Sequence, residues 1–152
     1  MSRYVALGSS MAASPLDPAA RDRALVDVAE SLKQVGHTLR QRSPRAKVLF
    51  VDYLTLLPPP GTPAPPLSDA DLAVGRHIAD TLARLTADAA ADTGCAVVRA
   101  AEASRERHAW SAQPWTLKPT KFGPPMPGRS APLHPNAAGM RAVADLVAAQ
   151  AT

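Results

Sequence analysis

Two runs of strand length, "VLFVDY" at residues 48–53 and "CAVV" at 95–98, each follow a long segment of helical period, and this alternation narrows the possible folds more than any other feature. The first helical segment opens at Asp17-Pro18, an N-cap followed by a first-turn proline, and carries Leu25, Val28, Leu32, Val35 and Leu39 at spacings of three and four. It is expected over 18–42, ending ahead of Pro44. The second opens at Ser68, where Asp71 completes a capping box; Ile78, Leu82, Leu85 and Ala89 share one face, and Gly94 closes it. "YVAL" at 4–7 is a further strand, and Met140, Val143 and Val147 mark a last helix with Pro135 expected in its first turn. Strand, helix, strand, helix, strand, helix implies an α/β domain, a three-layer sandwich on a small parallel sheet of about three strands with right-handed crossovers. The first strand is expected to pair directly with "VLFVDY", because an unfilled edge leaves buried backbone groups unpartnered.

A chain of 152 residues fits one domain. With 46% apolar but only 4% aromatic residues, its core must come from Ala, Val and Leu. The net charge of +4 is dispersed, and the denser stretches "RQRSPRAK" and "RERH" contain no aromatics to stack on bases, which favours a solvated basic surface over a nucleic-acid site. The single cysteine, Cys95, sits in an apolar run and is expected to be a buried thiol. No run of about 18 apolar residues occurs, so no membrane span and a cytoplasmic location are expected. "LPPPGTPAPP" at 57–66 reads as a stiff surface loop, and the proline-rich, aperiodic 113–135 as a functional or flexible one. The scattered histidines and Cys95 suggest no metal site, and "LGSSMAAS", with one glycine and no lysine, no phosphate cradle; no cofactor is expected.

In an open parallel sheet, sites form beyond the carboxyl ends of the strands, where Gly8-Ser9-Ser10 falls. Taken alone, Ser9 and Ser10 suit a helix cap as well as a nucleophile, since a hydroxyl needs a base beside it. Of four histidines, His37 and His77 lie in helical segments and read as surface residues, and His108 in "SRERHAW" suits a loop or cap role. His134 ends the long loop and directly precedes Pro135, which fixes the backbone around its imidazole. Asp52, at the end of the second strand, is a candidate to orient that base, although a structural role suits it better.

"YVALGSSMAAS" resembles the first block of the SGNH, or Gly-Asp-Ser-Leu, ester hydrolases, with Ser9 in place of Asp and Met11 in place of Leu. "LHPNAAGMRAVADLV" resembles their last block, and "RAKVLFVDYLTLLPP" and "SAQPWTLKP" are similar to the actinobacterial-type esterases of the group. The resemblance implies a shortened SGNH, flavodoxin-like architecture and a cofactor-free hydrolase of small acyl esters. Ser10 would be its nucleophile, His134 its general base and the Ser10 amide one oxyanion donor. The family's second and third blocks, which carry an oxyanion-hole glycine and asparagine, have no counterpart; Gly36, in a predicted helix, and Asn136, in the histidine block, do not replace them. Ala131 stands where the family has the aspartate that orients the histidine, so a backbone carbonyl can take that role in a Ser-His dyad. These departures imply weakened activity confined to good leaving groups. The reading from another class is a non-catalytic remnant of the fold that binds a ligand or protein. A sheet this small also suggests a homodimer through an exposed strand edge.

Overall fold

The ends of α2 fall where the capping chemistry puts them. The computed structural model describes residues 18–119 and 132–151; the expected strand at 4–7, with Ser9 and Ser10, lies outside them. Helix α1 spans Pro18–Arg42 and α2 spans Asp69–Thr93. At the start of α2 the Ser68 side chain accepts from the Asp71 amide, and the Asp71 carboxylate accepts from the Ser68 hydroxyl at 2.6 Å and from the Ser68 amide at 3.0 Å, two bonds that hold its carboxyl below the usual range. Gly94, at φ 66°, ends α2 in the left-handed conformation that glycine adopts without steric cost.

Between and after these helices lie β1, Leu49–Val51, and β2, Ala96–Val98. They pair in parallel, Leu49 with Ala96 and Val51 with Val98. Both strands are shorter than their apolar runs. The Asp52 amide donates to the Val98 carbonyl at 3.2 Å, and beyond it the Thr55 amide turns to the Ser104 hydroxyl at 2.7 Å, so the ladder ends where β2 gives way to α3, Ala100–Ala103. Among the described residues the sheet therefore has two strands. A 3-10 turn, Arg105–Arg107, and helix α4, Ala137–Ala151, complete the order.

Helix α1 packs on α2, where Gly36 meets Thr93. Its apolar stripe is only partly covered: Leu25 and Leu32 are half-buried, whereas Val28, Val35 and Leu39 remain more than a third exposed. Cys95 is half-buried rather than buried, because it follows the exposed Gly94; its sulfur lies 3.3 Å from the Thr93 hydroxyl oxygen. The proline-rich loop is less of a surface feature than its composition suggests, since Pro58 and Ala64 are buried. The Arg76 guanidinium bonds the Pro58 carbonyl at 3.0 Å and the Trp110 indole N–H the Pro65 carbonyl at 3.1 Å, so side chains satisfy backbone acceptors that the prolines cannot pair among themselves.

Among the described residues the buried hydrophobic side chains are all Ala, Val or Leu. One cluster, Leu54, Leu56 and Ala100, lies just past the carboxyl ends of the strands, and Trp115, Leu133, Val143 and Leu146 pack against it. This apolar floor brings the segment around Leu133 and the face of α4 to the edge of the sheet where sites form. No helix among the described residues is long and apolar enough to cross a membrane.

Candidate active site

Two short segments, 114–117 and 132–136, meet beside that floor. The Leu133 amide donates to the Leu117 carbonyl at 2.8 Å and the Leu117 amide to the His134 carbonyl at 2.9 Å, and Thr116 and Pro135 form an antiparallel bridge. The base of the long loop is thus pinned, while residues 120–131 lie outside the described part.

Leu133 sits at φ 63°, a left-handed conformation that costs a branched side chain roughly 1–3 kcal/mol. Its paired amide and its packing on Leu54, Leu56 and Ala100 hold it there. The next residue is His134. Its imidazole is exposed, with Nδ1 3.1 Å from the Pro132 carbonyl oxygen. A carbonyl only accepts, so Nδ1 must carry the proton of that bond, and the Nε2 lone pair remains as a proton acceptor. A carbonyl two residues upstream therefore meets the ring nitrogen that an aspartate would otherwise orient.

Pro135 is not in the first turn of α4. It takes part in the bridge to Thr116, which demands extended backbone, and the helix starts two residues later at Ala137. Asn136 is the cap: its Oδ1 accepts from the Gly139 amide at 2.9 Å and its carbonyl from the Met140 amide at 2.9 Å. The signal was the asparagine itself, a favoured cap residue, which the neighbouring proline obscured. With its Nδ2 donating to the Pro114 carbonyl at 2.7 Å as well, the Asn136 side chain is engaged at both ends.

The remaining candidates have other roles. Asp52 is half-buried, and its Oδ1 accepts from the Ala101 amide at 2.9 Å, which holds the start of α3. Burial raises its carboxyl above the ordinary value of 3.8 and outweighs the bonds from the Ala101 and Ala100 backbone. His37 and His77 are exposed on α1 and α2. His108 accepts at Nδ1 from the Trp110 amide at 3.3 Å, a local bond that closes the 3-10 turn. Gly36 lies inside α1. Among the described residues no cluster of three His, Cys, Asp or Glu side chains is placed to hold a metal. Ser10 falls outside the described residues, so its distance to His134 is not part of this geometry.

The sequence pattern of the GDSL-like Lipase/Acylhydrolase family matches residues 6–142. Comparison with curated proteins finds no match. Among solved structures, phospholipase A1 from Streptomyces albidoflavus NA297 is similar with TM-score 0.72 at 22% identity, covering 86% of this chain and 54% of that one. The extracellular lipase from Streptomyces rimosus is similar with TM-score 0.68 at 28% identity, covering 88% and 55%. The chain spans little more than half the length of either.

Proposed function

The chain belongs to the GDSL-like lipase/acylhydrolase family, and from that premise we propose that it is a serine hydrolase of small acyl esters working through Ser10 and His134. The observation that carries this reading is the His134 ring, whose Nδ1–H is bound to the Pro132 carbonyl so that Nε2 is left basic. In the reaction the Ser10 hydroxyl attacks the ester carbonyl carbon and passes its proton to Nε2. The tetrahedral oxyanion is met by the Ser10 amide. The imidazolium returns the proton to the departing alcohol; water, deprotonated by the same nitrogen, then attacks the acyl-serine, and the imidazolium passes that proton to the Ser10 oxygen as the acid leaves.

Two oxyanion donors common in the family have no counterpart in this sequence, and each lost donor slows such a step about 10²- to 10³-fold. Activity is accordingly confined to esters whose alcohol leaves readily. p-Nitrophenyl acetate should be turned over and an ethyl ester should not, and both Ser10→Ala and His134→Ala should abolish the aryl-ester reaction. A fluorophosphonate should label Ser10. Aryl-ester turnover indifferent to both substitutions would overturn the Ser-His assignment, and vigorous ethyl-ester hydrolysis lost in Ser10→Ala would overturn the restriction to activated esters.

A further inference from the structure

We propose that Asn136 is a positioning residue for His134, acting through its carboxamide rather than through its capping of α4. The inference rests on His134 being the general base. It comes from the double engagement of one side chain. A carbonyl only accepts and a backbone N–H only donates, so Pro114 and Gly139 fix which end of the carboxamide is which. Oδ1 caps the helix, and Nδ2 ties it to Pro114 at 2.7 Å, 22 residues away in sequence.

The tie is part of a two-sided anchorage. Upstream of His134, Leu133 is held by Leu117 and by the apolar floor. Downstream, the Asn136 amide donates to the Trp115 carbonyl at 2.9 Å. Gly139 leaves room for that same peptide: a Cβ there would lie 3.0 Å from the Trp115 carbonyl carbon and would overlap its oxygen. The first turn of α4 is therefore seated directly on the 114–117 segment, and Asn136 is the side chain that locks it there. His134 is exposed, and among the described residues its ring bonds only to the carbonyl two residues before it, so the orientation of the imidazole depends on the backbone of 132–136 keeping its path. If Asn136 is removed, the upstream anchor survives while the downstream one loses its side-chain bond. The ring can then leave Pro132 and exchange tautomers.

Capping and clamping separate by substitution. Serine caps a helix about as well as asparagine but is too short to reach Pro114, and aspartate caps equally well but has no Nδ2 to donate. Asn136→Ser and Asn136→Asp should both remain folded, with the thermal midpoint lowered by the loss of one hydrogen bond, and lowered further in Asn136→Asp, whose carboxylate would face the Pro114 carbonyl oxygen. Nitrogen-15 NMR of labelled histidine should show His134 as the Nδ1–H tautomer in the parent and as a mixture in both variants. For p-nitrophenyl acetate, kcat should fall about 10- to 100-fold, the scale of a small misplacement of a catalytic group, with KM little changed. If Asn136→Ser fails to fold, Asn136→Asp is read in the same way. Parent-like tautomer and kcat in a folded variant would overturn the proposal. A parent protein without turnover would count against the hydrolase reading alone, because the tautomer signal still decides the role of Asn136.

Discussion

Asp52 and Asp71 show how two carboxylates in one small domain are pushed in opposite directions. Asp71 is exposed at the start of a helix and bonded by Ser68, so its charged form is favoured; Asp52 is half-buried, and desolvation dominates. A folded-state pKa above the unfolded one means that the native state binds the proton more tightly. The stability Asp52 contributes is therefore complete below pH 3.8 and is lost as pH rises through its raised value. Asparagine keeps an oxygen for the Ala101 amide and carries no charge to desolvate. Asp52→Asn should thus match or exceed the parent in urea midpoint at pH 7, and the difference should shrink or reverse below pH 3.8. A variant weaker than the parent by the same margin at both pH values would show that the carboxylate charge is not the cost. The aspartate at a strand end was legible as a candidate for structure or chemistry; its contact with the α3 amides was not, because α3 has only four residues and no helical period to announce it.

At the scale of elements, the contact between α1 and α2 depends on one missing side chain. A Cβ on Gly36 would stand 2.8 Å from Thr93 Cβ and 2.9 Å from its Cγ2. Thr93 cannot easily turn away, since its hydroxyl donates to the Ala89 carbonyl at 2.7 Å. Alanine gains about 1 kcal/mol of helix propensity over glycine, whereas overpacking costs about 1–3 kcal/mol. The overlap should win, so Gly36→Ala is expected to lose up to about 2 kcal/mol in denaturant unfolding, and adding Thr93→Ala should restore much of it. A single variant more stable than the parent would show that the helices separate freely. This close approach was hidden in the sequence, where Gly36 looks like a weak point inside a periodic segment. The ends of α2 were readable because caps act locally: Ser68, Asp71 and Gly94 carry their own geometry. The extent of the strands was not readable, because a strand stops when its partner stops, and Val98 precedes a helix by one residue. The start of α4 was misplaced for a similar reason, since the bridge to Thr116 overrides the preference of Pro135 for a first turn.

At the scale of the whole molecule, His134 could be picked out because it stands alone among four histidines at a loop-to-helix junction, and the family blocks could be matched at both ends of the chain. That a backbone carbonyl could stand in for the missing aspartate was readable as well, but not which carbonyl, nor what holds the segment in place. The Pro132 carbonyl, the pairing with Leu117 and the clamp on Pro114 are all contacts of the backbone, to which sequence patterns are blind. Half the length of its structural neighbours suffices for these contacts, and the pairing of β1 with β2 has a consequence for how the chain assembles. Leu49 cannot find Ala96 until the intervening chain, most of it α2, has folded back, so the closure entropy of a long loop is met before any strand bond forms. A formed α2 shortens that search. Weakening its start should then act on the barrier to folding rather than on the route out of the native state. Ser68→Ala, expected to cost about 1 kcal/mol, should slow refolding about fivefold and leave the unfolding arm of the chevron almost in place. Faster unfolding with unchanged refolding would mean that the two strands meet before the helix between them is made.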